Sequence, residues 1–232
     1  MSNEYEFLHA QIQTLADPET AQKLLRVVPG AKTLGAKVPS LRELAKTFRA
    51  AHPLTLPQAC DLMDELCASG WREEMLVGTF ILGGFGKKVT QIPWARVQPW
   101  IGALNNWETC DQLASNVTGA MVAANLGLVD ELLKLTASEN PWQRRFALSN
   151  GAELHHKGRS YPAETLRICE RLVGERDPNV RKALGWALKE TSQNAPELVL
   201  AFLLEHRKTI HASALREAAE KLSAEQRAQL GL

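Results

Sequence analysis

The sequence predicts an all-α protein, and three observations carry that reading. Helix signals recur from one end of the 232 residues to the other, while β-branched alternation over several residues is nearly absent. Turn-forming pairs cut the chain at Asp17-Pro18, Pro29-Gly30, His52-Pro53, Ser69-Gly70, Ile92-Pro93, Asn140-Pro141, Tyr161-Pro162 and Ala195-Pro196. The segments between them run to roughly 10–18 residues, the ordinary length of a globular helix. With 45% apolar and 23% charged residues, the composition is that of a chain able to bury a core. About a dozen helices joined by short turns is the pattern of a helix-pair solenoid of the HEAT-like or armadillo type. No strict repeat is visible, so a compact irregular bundle stands beside it. One domain spanning 1–232 is expected.

Along the chain, Ser40 to Glu43 reads as a capping box before the amphipathic run Leu41, Leu44, Ala45, Phe48. Thr55 opens another helix, with Pro57 in the first turn and Leu62 and Leu66 on one face. Gly78, Gly83, Gly84 and Gly86 fall in one helical stretch, which implies close helix packing or a helix ending near Gly83. Asn106 is placed to cap a helix to about Asn125, and Asp177 with Pro178 to open one lasting to about Gln193.

Formal net charge is +1, which by itself indicates no nucleic-acid partner. The distribution is uneven. Residues 1–140 hold 12 Lys and Arg against 15 Asp and Glu, whereas 141–232 hold 15 against 11. A basic C-terminal half suits a phosphate backbone. Cys60, Cys67, Cys110 and Cys169 form no C-x-x-C pair, and no His/Cys cluster has zinc-ligand spacing. No secretory signal is evident, and the apolar stretch Met75 to Phe85 is too short to span a membrane. The expectation is a reduced, cytoplasmic protein with no metal, no cofactor and no membrane partner.

Several residues do not read as ordinary core. On the helix from Asn106, Cys110, Leu113, Val117, Ala120, Met121 and Ala124 form an apolar arc, with Trp107 and Asp111 stacked on its shoulder above Thr118. On spacing alone, a boundary Trp with a solvated Asp is the better account of that pair. On the helix from Asp177, the core face is Val180, Leu184, Ala187 and Leu188, and Trp186 points away beside Lys182 and Lys189. Such a Trp either stacks on a sugar or base while the lysines meet phosphates, or packs on a neighbouring helix under lysine stems. Trp142 and Arg145 share a face that Arg144 does not, and a surface salt bridge explains Arg145 in isolation. His155-His156 reads as a helix-end pair, capping or solvent-exposed. Gly83 to Lys88 lacks both the order of a phosphate loop and the strand that precedes one.

Four of these segments, in order, resemble the DNA alkylation repair family, the AlkC/AlkD-type HEAT-like glycosylases. Leu34 to Arg42 is similar to the family's Gly-x-[Arg/Lys/Gln]-x-Pro-x-x-Arg segment, and Asn105 to Asp111 to its Trp-Asp-x-x-Asp signature, with Glu108 in place of the first Asp. Trp142 to Ala147 resembles its Trp-x-x-Arg-x-Ala segment, and Val180 to Glu190 its Lys-Ala-x-Gly-Trp-x-Leu-[Arg/Lys]-Glu segment. The resemblance implies a concave helical face that grips duplex DNA without a tight base pocket. It further implies Trp107, Asp111 and Arg145 as the reactive set, Trp186 as a second aromatic wall, and Lys37 near the cleft. Lys182, Lys189 and Arg144 are the remaining candidate DNA contacts.

The implied activity is a monomeric glycosylase that removes N3- and N7-alkylated purines such as 3-methyladenine and 7-methylguanine from duplex DNA. Those bases carry a positive charge and leave readily, through an oxocarbenium-like transition state. A carboxylate near C1′ stabilises that cation, and an indole face and an arginine fork complete the set. The alternative is a catalytically inactive HEAT-like module binding DNA structures or protein partners.

Overall fold

The computed structural model describes residues 1–28 and 30–232, so Pro29 of the expected Pro29-Gly30 break lies outside the described residues. Among those residues the chain forms fifteen α-helices, short 3-10 and π segments, and no strand. They are α1 (Asn3–Thr14), α2 (Pro18–Val27), α3 (Val38–Ala51), α4 (Leu56–Ala68), α5 (Arg72–Gly83), α6 (Trp94–Gly102), α7 (Trp107–Leu113), α8 (Gly119–Ala124), α9 (Val129–Leu135), α10 (Pro141–Glu153), α11 (Pro162–Arg171), α12 (Pro178–Ser192), α13 (Pro196–Glu205), α14 (Ala212–Ala218) and α15 (Ala224–Gln229). The all-helical reading is therefore correct. The helices fall into two compact units, Met1–Met121 and Val122–Leu232, with the boundary inside α8.

In the first unit α5 is the central rod. Every residue from Arg72 to Leu82 is buried, and α3, α4 and α7 pack on it. Such a helix has no polar face, so charges within it must be paired by neighbours. Gly78 lets α4 approach, because a Cβ there would lie 2.5 Å from Met63 Sδ. Trp100 of α6 is fully buried, and its indole N–H donates to Asp64 Oδ1 at 2.6 Å. In the second unit α10 and α12 form the centre, flanked by α11 and α14. Val180, Leu184, Ala187 and Leu188 are all buried, as the spacing on α12 predicts.

The start signals are mostly realised. Thr55 and Gln58 form a reciprocal capping box, and Asp17, Asn106, Asn140 and Asp177 each cap a helix. Ser40 does not. Helix α3 already begins at Val38, with Lys37 at the N-cap and no side-chain cap. Pro39 presets the helical φ before Ser40 is reached, and Glu43 instead lies 3.5 Å from Lys46.

The helix from Asn106 also departs from its expected periodicity. It continues to Ala124, but residues 114–118 form a π-turn, in which the Thr118 hydroxyl donates to Leu113 O five residues back. That extra residue rotates the later turns of the helix about its axis. Met121 and Val122 are buried, Ala120 is half-buried and Ala124 is exposed, so the apolar arc slips by about one position beyond Val117.

Candidate functional site

In the first unit Trp107 and Asp111 belong to α7, and α7 is fixed at its start by polar contacts. Buried Asn106 accepts the N–H groups of Glu108 and Thr109, both at 3.0 Å, and the Thr109 hydroxyl returns to Asn106 O. Glu108 then meets Arg72 of α5, whose Nε and Nη2 lie 2.6 and 2.5 Å from Oε2. The same guanidinium donates through Nη1 to Glu73 Oε1 at 2.7 Å and to Ala36 O at 3.1 Å.

Fully buried Glu73 in turn accepts from the Thr33 hydroxyl and from the backbone N–H groups of Leu34 and Gly35. Two carboxylates thus share one guanidinium, and the surplus negative charge is met by fixed donors. Gly35 is required here, since at φ +79° an added Cβ would sit 2.2 Å from Asp17 O. The loop so tied ends at exposed Lys37.

On this frame Trp107 and Asp111 stand one helical turn apart and half-buried, while Cys110 and Leu113 point into the core. The π-turn begins immediately after the same turn of α7, at Ala114. One residue beyond Asp111, Gln112 Oε1 accepts from Arg42 Nη2 at 2.6 Å and from Asn116 Nδ2 at 3.1 Å.

The second unit holds the other candidates. Arg145 of α10 is 5% exposed, and its Nη1 donates to Asn179 O at 2.7 Å in the first turn of α12. Arg144 turns away, as its spacing predicts. It grips Glu175 through Nε and Nη2 at 2.6 and 3.2 Å and reaches the carbonyls of Ser138 and Glu139 through Nη1. Burial alone would raise the Glu175 carboxyl, but Arg144 and the N–H groups of Asp177 and Arg176 hold it below its ordinary value.

Lys182 is exposed. Lys189 instead lies between Glu217 and Glu220, at 3.3 and 3.1 Å. Its own burial acts to lower its pKa, and the two glutamates outweigh that and raise it. Trp186 is half-buried, its ring centroid 6.2 Å from that of His156 and tilted by 49°.

The two histidines are not the exposed pair their position suggests. His155 is buried between α10, α11 and α12, its Nε2 3.0 Å from the Thr165 hydroxyl and 3.1 Å from that of Thr191. Both hydroxyls already donate to carbonyls, of Gly151 and Ala187, so Nε2 carries the proton. Burial, with a smaller push from neighbouring His156, lowers its pKa to about 4. His156 lies 3.1 Å from Glu153 and 3.2 Å from Glu190. Its hydrogen bond to Glu153 is the largest of the effects that raise its pKa, against the effect of burial. All four cysteines are buried and free, and burial pushes the Cys60 and Cys67 thiols up to about 11 and about 12.

Sequence reasoning missed Arg72 and Glu73, which hold α7 and the Lys37 loop in one polar chain. The signal was present: Arg72-Glu73-Glu74 heads a run that is apolar all round. Among the described residues, no group of three or more His, Cys, Asp or Glu is arranged to hold a metal ion. No helix among them is long and apolar enough to cross a membrane.

Residues 8–222 match the family described as DNA alkylation repair enzyme, and the chain belongs to that family. Among solved structures it is similar to a predicted DNA alkylation repair enzyme from Enterococcus faecalis, with a TM-score of 0.73 at 20% identity over 90% of this chain and 97% of that one. It is also similar to AlkD2 from Streptococcus mutans, with a TM-score of 0.56 at 18% identity over 88% and 100% of the two chains. At these identities the likeness is one of fold. No curated protein matches the sequence.

Proposed function

We propose that this protein is a cytoplasmic, monomeric DNA glycosylase that excises cationic N3- and N7-alkylpurines, such as 3-methyladenine and 7-methylguanine, from duplex DNA. The observation that carries the reading is α7. It offers a half-buried indole and carboxylate, Trp107 and Asp111, one turn apart, on a helix locked by Asn106 and by the Arg72–Glu108 pair. Such bracing is what an electrostatic catalyst needs, because a group that need not reorganise stabilises developing charge most effectively. Membership of a DNA alkylation repair family points the same way.

In the proposed reaction, the glycosidic bond of the alkylated nucleotide breaks heterolytically. Its electron pair leaves with the already cationic base, which departs neutral. The sugar becomes an oxocarbenium ion, and the Asp111 carboxylate stabilises it and orients the water that adds at C1′. That water loses a proton as the new C–O bond forms. Trp107 offers its π face to the cation, an effect worth about 0.5–2 kcal/mol. Arg145 binds a phosphate near the lesion, and Trp186, Lys182 and Lys37 contact the duplex. For Arg144 and Lys189 to contribute, a phosphate must displace Glu175, or Glu217 and Glu220, from their ion pairs.

The test is base release from duplexes carrying either a cationic lesion or hypoxanthine. Release of 7-methylguanine and 3-methyladenine with little release of hypoxanthine is expected. Equal release of the neutral base would contradict a mechanism that relies on the lesion's own charge. Binding without any release would favour the inactive-module reading.

A further inference from the structure

The glycine-rich end of α5, which has no part in the mechanism above, seats Arg49 and leads into two further cations of the first unit. Arg42 and Arg49 are seven residues apart on α3 and so share a face. The Arg42 guanidinium lies 4.2 Å from the Phe80 ring centroid and reaches Gln112, the neighbour of Asp111. One turn further along α5, Arg49 donates through Nη2 to Gly84 O at 2.7 Å and lies 5.7 Å from the Phe85 ring.

The glycines make this possible. A Cβ on Gly84 would sit 1.8 Å from Arg49 Nη1, and one on Gly83 would sit 2.9 Å from Asn116 Cβ. Exposed Lys87 and Lys88 come directly after, and among the described residues neither has an acidic partner. Neither arginine has a carboxylate partner among them, and Glu43, on the same helix, lies 3.5 Å from Lys46 instead. Elsewhere in the unit Arg72 and Arg96 are both ion-paired to acids. Four cations without acid partners among the described residues, two of them over aromatic rings at 4.2 and 5.7 Å, therefore belong to α3 and to the short 3-10 segment that follows α5, in the half of the chain that carries the net negative charge.

We propose that Arg42, Arg49, Lys87 and Lys88 form a track for the sugar-phosphate backbone of duplex DNA beside the Asp111 helix. The proposal rests on the DNA-binding part of the reading above. Each guanidinium spends one nitrogen on a carbonyl oxygen, Arg42 on Gln112 and Arg49 on Gly84, which leaves further N–H donors for an anion, and a phosphate suits such a fork. The track reads no base, so it binds damaged and undamaged duplex alike.

The test is the salt dependence of binding by the full-length protein to undamaged and 7-methylguanine-containing duplexes, measured by fluorescence anisotropy. Each phosphate contact contributes a slope of about −0.9 in log K against log salt. The Lys87→Ala/Lys88→Ala double variant is expected to lose up to about 1.8 of that slope, and Arg49→Gln about 0.9, equally on both duplexes. Both lysines are exposed, and glutamine retains a donor for Gly84 O, so unchanged urea midpoints check that the fold is intact. Wild-type binding with unaltered slopes in both variants overturns the proposal and leaves the glycosylase reading standing. Slopes that fall in a protein releasing no base support the track and overturn the glycosylase. No duplex binding by wild type overturns both.

Discussion

Arg72 meets a single oxygen of Glu108 with two of its nitrogens, while its third nitrogen holds Glu73. Arg72 and Glu73 adjoin in sequence on α5, whereas Glu108 comes from α7, so the arginine ties the candidate catalytic helix to the central rod. Glu108 is therefore a structural partner of Arg72.

Removing that partner leaves a buried guanidinium with one carboxylate fewer. Glu108→Ala is expected to cost about 2–4 kcal/mol in urea unfolding, between the loss of a charged hydrogen bond and of a whole buried pair. Glu108→Asp should fall between wild type and Glu108→Ala. A change within about 0.5 kcal/mol, typical of surface positions, would show that the pair does not hold α7.

Opposite pH effects are expected from adjacent histidines. The native state resists protonating His155, whose pKa burial lowers to about 4, while the unfolded chain takes that proton near 6.5. His155 therefore favours folding above about pH 6.5, and that contribution is lost as pH falls towards 4. His156 is raised by Glu153 and Glu190, so its contribution is full below about 6.5 and is lost as pH rises through its folded value. Urea midpoints between pH 4 and 8.5 should show His155→Gln flattening the acid limb and His156→Gln losing most stability at low pH. Parallel curves for the two variants would contradict the assignment.

Two glycines should respond in opposite directions to alanine. At Gly185 a Cβ would come within 2.8 Å of Glu217 Cβ and 3.0 Å of Ala214 O, so Gly185→Ala forces α12 from α14 and should cost about 1–3 kcal/mol. Gly102, at the end of α6, has open space where a Cβ would project, and Gly102→Ala should be neutral or stabilising by up to about 1 kcal/mol. Thermal melts of both variants decide the matter.

The protein's thiols should resist modification. Cys60 and Cys67 are buried, with pKa values near 11 and 12, so little thiolate exists at pH 8. Native protein should react with a thiol reagent far more slowly than urea-unfolded protein, and a rapid native phase would contradict this burial.

How much was legible depends on where the information resides. Helix starts at Thr55, Asn106 and Asp177 are local chemistry, and they appear as read. Ser40 failed because Pro39 and the tethered loop, the latter a tertiary effect, start α3 three residues earlier. The π-turn after Leu113 has no sequence signature, and it displaced the predicted face of Ala120 and Ala124. Lys189 and Arg144 looked available because their partners, Glu217 and Glu220 on one side and Glu175 on the other, are distant in sequence. His155 was misjudged for the same reason, since the hydroxyls that hold it come from two other helices.

In the proposed reaction the Asp111 carboxylate carries the catalysis. The direct measurement is single-turnover release of 7-methylguanine from duplex DNA by wild type and by Asp111→Asn, which keeps the side chain's shape and removes its charge. Wild-type release that falls by about 100-fold or more in the variant, with DNA binding retained, is the predicted result. Release undiminished in Asp111→Asn would contradict the account and require the oxocarbenium ion to be stabilised elsewhere.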